Sequence, residues 1–105
     1  MKRALFVLLP FAFATLAGAA DHPGQASYRK SCAVCHAADG TGNSPTGKAL
    51  KVRDLTSAEV QEQTDDALAA VIADGKNTMP GFKSSMSPEQ IREVVAYLRT
   101  LKKKQ

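Results

Sequence analysis

The chain has no tryptophan, only two cysteines and two histidines, and no run in which apolar and polar residues alternate over the length of a strand. The missing alternation excludes a half-buried sheet, and the lack of any repeated segment excludes a solenoid or array. Excess positive charge is scarce too. Lys2 and Arg3 fall in an amino-terminal leader, so 14 − 2 = 12 basic residues face 10 acidic ones, a formal +2. That is too little for nucleic-acid binding, which needs a concentrated basic surface. No cysteine closely follows the apolar amino-terminal run, so lipid attachment of an exported product is not expected.

The leader reads as an export signal: Met1-Lys2-Arg3 is a positive start, Ala4 to Leu16 is apolar, and Ala17-Gly18-Ala19 offers small residues to a signal peptidase. We expect a signal peptide over 1–20, cleaved near Ala19/Ala20, and a single domain over 21–105, exported to the periplasm or an equivalent compartment. The alternative is an uncleaved anchor, because Ala4 to Ala20 approaches the ~17-residue lower limit for crossing a bilayer. Pro10 and the small-residue end favour cleavage and a mature chain with no membrane span. A mature chain of about 85 residues buries only somewhat more than about 60% of its unfolded surface, so an internal cofactor would supply missing core.

Helical spacing dominates the rest. From Gly24 to about Val34, Ala26, Tyr28 and the cysteines are interleaved with polar residues, which suits a short helix with one buried side. Ala37 to Arg53 contains Gly40, Gly42, Pro45 and Gly47 and reads as a long loop, of a length usually reserved for function. Thr56 or Ser57 can cap a short helix to about Gln63, with Glu59 completing a box with Thr56. Thr64 caps the next, with Asp65 and Asp66 at its positive end, Leu68, Val71 and Ile72 as its stripe and Gly75 as its stop. Lys76 to Met86 is a second loop. Ser87, Pro88 and Gln90 then open a helix to about Lys102, whose apolar residues are Ile91, Val94, Val95, Leu98 and Leu101. Lys102, Lys103 and Lys104 read as a solvated tail. The expected fold is all-α, with three to four short helices and long loops.

Cys32-Ala33-Val34-Cys35-His36 fits the attachment pattern of haem c. Thiols three residues apart on a helical turn lie on one side, where both can add to the porphyrin edge, and the next residue can place an imidazole under the iron. Two other readings compete: a redox dithiol, which lacks its βαβ setting here, and a zinc site formed with His36 and His22, which needs a residue near the terminus. A histidine-ligated iron that transfers electrons without binding small molecules needs a sixth ligand, commonly a methionine thioether. Met79 and Met86 are the candidates. Met79 lies in a loop flanked by Gly75, Pro80 and Gly81, whereas Met86 adjoins the last helix and reads as core filler.

With CxxCH near the start, a methionine loop near the end and a closing amphipathic helix, the chain resembles the class I c-type cytochromes. Its stretch GKNTMPGF is similar to the methionine loop of the small soluble cytochromes of photosynthesis and related bacterial ones. The resemblance implies a small cytochrome c fold around one covalent haem c on Cys32 and Cys35, with His36 and Met79 as axial iron ligands. It implies a proline carbonyl, at Pro45, accepting a hydrogen bond from the axial histidine. It also implies a crossing of the first and last helices at Gly24 and Tyr97, with Tyr28 and Leu98 nearby. The tryptophan often found beside a haem propionate is missing, and Arg53 or Lys51 is the candidate in its place.

The function expected from these features is outer-sphere transfer of single electrons between redox partner proteins by a monomer that is not an enzyme. Lys48, Lys76 and Lys83 could form a basic rim for acidic partners, or be ordinary solvated lysines. The alternatives are a haem sensor or peroxidase-like enzyme with an open sixth site, and a cytochrome subunit of a larger oxidoreductase.

Overall fold

The computed structural model describes residues 4–12 and 22–103. The expected signal cleavage site, together with residues 1–3 and 104–105, lies outside them. Residues 4–12 carry no helix or strand, and their large apolar side chains are exposed. No helix among the described residues is long and apolar enough to cross a membrane.

The described residues are all-α, as expected, but with six helices rather than three to four: α1 Gln25–Ser31, α2 Ala33–His36, α3 Pro45–Leu50, α4 Ala58–Gln61, α5 Asp65–Asp74 and α6 Pro88–Arg99. Two of the extra elements come from one correction each. The helix expected over Gly24 to Val34 is interrupted at Cys32 and resumes as α2. The stretch expected to be a continuous loop contains α3, because Ser44 caps it by accepting from the Gly47 amide and Pro45 occupies its first turn. Glycine and proline break helices in most positions, but Pro45 sits where its missing N–H costs nothing.

The caps of the later helices follow the sequence closely. Thr64 accepts from the Ala67 amide at the start of α5. Ser87 and Gln90 form a reciprocal capping box on α6. At α4 the cap is Ser57, and the box expected between Thr56 and Glu59 is not formed. The Thr56 hydroxyl donates to Asp54 at 2.6 Å, and Glu59 instead pairs with Arg53 at 3.1 Å. Between α5 and α6, Gly75 has a φ of +78°, which releases the chain into the 76–86 loop.

The core is the apolar faces of α1, α4, α5 and α6: Tyr28, Val60, Leu68, Ile72, Val94 and Leu98 are all buried. At the crossing of α1 over α6, a Cβ placed on Gly24 would lie 2.1 Å from the Glu93 carbonyl oxygen, so only glycine lets the two backbones touch. One turn on, the rings of Tyr28 and Tyr97 meet at 5.2 Å with a tilt of 54°, the arrangement aromatic pairs prefer. Leu98 joins the same cluster. On the other side of α6, Arg99 grips the start of α5, bonding Asp65 at 2.8 Å and the carbonyls of Gln61 and Gln63 at 2.8 and 2.6 Å. The Gln61 amide bridges the Leu55 and Leu98 carbonyls. These bonds seat α4 and α5 against α6 and leave a cleft facing α2.

Gly24→Ala is expected to destabilise the protein by about 1–3 kcal/mol through overpacking alone, since Gly24 has an ordinary helical φ. Chemical denaturation would read this as a lower midpoint at constant slope; an unchanged midpoint would mean that α1 shifts off α6 without cost.

Candidate functional site

Two apolar clefts open on the face that α2 presents. Cys32, His36 and Met79 line both of them. The first reaches inward to Leu55, Val60, Leu68 and Val94, and the second outward to Leu50 and Phe82. A slot with apolar walls, two thiols at one end and an imidazole and a thioether along it is the shape a flat macrocycle needs.

The thiols are both free, Cys32 buried and Cys35 half-buried. Burial, reinforced by the neighbouring Cys35, pushes the Cys32 thiol up to about 11. Exchange dithiols work through a stabilised thiolate, so this environment speaks against the dithiol reading. The zinc reading fails on geometry. His22 packs its ring 5.8 Å from that of Tyr97, and no three His, Cys, Asp or Glu side chains among the described residues converge on a metal position.

His36 ends α2, with its ring Nδ1 3.2 Å from the Arg53 carbonyl oxygen. With Nδ1–H donating to that carbonyl, Nε2 keeps its lone pair free, and the ring is held in one orientation. Burial keeps His36 below the usual histidine range, partly offset by this bond. The resemblance had assigned this acceptor to Pro45. Pro45 is committed to the first turn of α3, and the chain returns past the ring eight residues later instead. Nothing in the local sequence of Arg53 marks its carbonyl, since any residue type supplies one.

The Arg53 side chain, a candidate propionate contact, lines the inner cleft while pairing with Glu59. Lys51 lines neither cleft; it is the left-handed cap of α3, with φ +53°. Met79 is half-buried and is held by a reciprocal pair of backbone bonds with Lys76, at 2.9 and 3.1 Å. Met86 lines neither cleft and packs on the core near the start of α6, as read from the sequence. Gln63 also lines the inner cleft, the one carboxamide there among its described lining residues. It had been read only as a helix end.

The segment behind the thiols is tied down by Ser44, whose hydroxyl lies 2.9 Å from the Cys35 carbonyl while accepting from the Gly47 amide at 3.0 Å. Gly47 is itself in close contact, since a Cβ there would lie 2.1 Å from the Cys35 carbonyl. Thus α3 acts as a brace beneath α2.

The comparisons with known proteins agree with this geometry. A family model described as "Cytochrome C oxidase, cbb3-type, subunit III" matches residues 19–98. The chain is similar to cytochrome c6 of Nostoc sp., at 39% identity over 87% of this chain and 80% of the relative. It is also similar to cytochrome c6 of Limnospira maxima, at 38% over 71% and 85%. A solved structure titled "KustC0563 c-type cytochrome" superposes with a TM-score of 0.71 at 30% identity, covering 76% of this chain and 98% of that one. A helical shell around an apolar slot that ends in a CxxCH segment defines a haem protein, and the chain belongs to the class I c-type cytochromes. Its cofactor is covalently bound haem c with its iron.

Ser44→Ala is expected to cost about 1–2 kcal/mol, the loss of a helix cap and of a carbonyl partner together. The denaturation midpoint should fall while the visible spectrum of the holoprotein is unchanged; a changed spectrum would mean that Ser44 acts on the iron site directly.

Proposed function

We propose that this protein is an exported, soluble, single-haem electron carrier in which Cys32 and Cys35 hold the haem and His36 and Met79 are the axial ligands. The observation that carries the reading is the meeting of both clefts at Cys32, His36 and Met79. When bound, the haem supplies a one-electron couple between ferrous and ferric iron. The chain's residues hold both ligands in one arrangement: the Arg53 carbonyl orients His36, and the Lys76 pairing anchors Met79. Apolar walls at Leu55, Val60 and Leu68 exclude water, which keeps reorganisation small on electron transfer. The relatives named cytochrome c6 are electron carriers rather than enzymes, which supports the same role here. The leader over 1–20 would direct the chain out of the cytoplasm, where haem c is attached.

Partners would approach α2 and α3, where Val34 and Leu50 are 63% and 44% exposed beside the outer cleft. Lys48 and Lys51 flank Leu50, and Lys30 precedes Ser31 of the same cleft. Lys83 is a weaker member of the rim than expected, because its ammonium lies 3.3 Å from Asp74. An apolar centre with a basic margin suits a redox partner with an acidic patch.

A second reading, a cytochrome subunit of a larger oxidoreductase, draws support from the subunit named in the matching family model. Size-exclusion chromatography of the natively expressed protein separates the two: a free monomer favours the carrier, and co-migration with a larger complex favours the subunit.

The ferric protein is expected to show the long-wavelength sulfur-to-iron band, and the ferrous protein to ignore carbon monoxide. Met79→Ala should abolish the band and admit carbon monoxide, and Met86→Ala should do neither. Ready binding of carbon monoxide by the unaltered protein would instead support an open-site sensor or peroxidase. For the docking face, oxidation by ferricyanide should slow as salt rises, and Lys48→Glu with Lys51→Glu should lower the low-salt rate several-fold.

A further inference from the structure

Ala37, the residue immediately after His36, has φ +64° and ψ 165°. This is a region of backbone space that is essentially reserved for glycine, and another residue held there is strained. Such a conformation persists only where its surroundings enforce it. The Ala37 amide closes α2 on the Ala33 carbonyl at 2.9 Å, which an ordinary helix end would also do. The unusual contact is on the other side of the residue: the Tyr28 hydroxyl donates to the Ala37 carbonyl at 2.6 Å.

Tyr28 is well suited to enforce a conformation. It has 0% exposure, so its hydroxyl has no water to turn to. Its ring is pressed between α1 and Tyr97 of α6, so the hydroxyl cannot follow a relaxing backbone without disturbing the helix crossing. Burial also raises its pKa far above the ordinary tyrosine range, so the hydroxyl keeps its proton and remains a donor. The strained peptide lies between two fixed points, since the His36 carbonyl accepts from the Gly42 amide at 2.8 Å and the His36 ring from its other side meets Arg53. A phenylalanine would fill the same core volume; the hydroxyl is needed only for this bond.

We propose that Tyr28 is a positioning residue for His36: its hydroxyl pins Ala37 in this glycine-like conformation, which turns the chain away after His36, and so sets the plane in which the ring meets the iron. The helix crossing and the axial ligand are thereby mechanically linked through Tyr97, Tyr28 and Ala37. The inference rests on His36 being the axial ligand.

The test uses the holoprotein with Tyr28→Phe, Ala37→Gly and both together. In the ferric form, haem methyl resonances in proton NMR report the orientation of the axial imidazole plane. Tyr28→Phe is expected to shift that pattern and the midpoint potential. It should also speed exchange of the Ala37 and Gly42 amides about tenfold, the worth of one hydrogen bond, ahead of the Phe82 amide that bonds Ile72. Adding Ala37→Gly should restore the methyl pattern, because glycine holds this conformation without a clamp. If Tyr28→Phe alone does not fold, the double variant should fold and carry the unaltered pattern. An unchanged pattern and potential in Tyr28→Phe, with all slow amides loosened equally, would overturn the proposal, as would a double variant no better than the single one. Failure of the axial assignment is read separately, from an unaltered protein whose spectrum lacks histidine ligation while the exchange results stand.

Discussion

Where α1 crosses α6 at Gly24, the backbones are in direct contact, and every other distance around the site is measured from that crossing. Because α1 cannot lift away, Tyr28 is driven against Tyr97, and Cys32, one turn further, is carried to the edge of the cleft. The motif cysteines and histidine follow within a few residues. Hydrophobic burial by α4 and α5 then closes the inner wall, with Arg99 and Gln61 tying both to α6 by bonds to backbone carbonyls. Those bonds are directional and desolvated in part, so they define a geometry that apolar packing alone would leave slack.

The loop segments are the second layer of this arrangement. Between His36 and Arg53 the chain leaves the site, forms α3 as a brace under the thiols, and returns to place one carbonyl on the imidazole. Gly42 and Gly47 permit the close approach, Gly42 by a φ of +79° and Gly47 by contact with the Cys35 carbonyl. Opposite, the 76–86 loop is closed on itself by the Lys76–Met79 pair and attached to α5 by the Phe82 and Lys83 amides. Both potential ligands are therefore held by backbone bonds on separate pieces of the chain, which is how a site can keep its shape through a change of charge.

Charge is distributed along the fold in the same two parts. The segments α1 to α3 carry Arg29, Lys30, Lys48 and Lys51 against Asp39, whereas 54–74 carries Asp54, Glu59, Glu62, Asp65, Asp66 and Asp74. Arg53, Lys83, Arg92, Arg99 and Lys103 are drawn into ion pairs with five of those acids. Lys30, Lys48 and Lys51, close in sequence to the outer-cleft residues Ser31 and Leu50, are in none of these five pairs.

Much of this was legible in the chain itself. Helical periodicity and the caps at Thr64 and Ser87 marked α5 and α6, because capping chemistry is local. CxxCH specified the attachment chemistry, because its geometry is complete within one helical turn. The break at Cys32, the helix α3 and the use of Ser57 rather than Thr56 were not legible, since each is decided among competing local bonds, such as Ser44 with Gly47 and Thr56 with Asp54. The acceptor on His36 was not legible for a different reason, because it lies 17 residues away. A backbone carbonyl has no residue type, so its place at Arg53 rather than Pro45 was decided only by how the intervening loop packed. Composition and local pattern determined that this is an all-α c-type cytochrome with its thiols and imidazole at 32, 35 and 36. Tertiary structure decided how the imidazole is held, because its acceptor comes from a segment that returns to it only after α3 has packed.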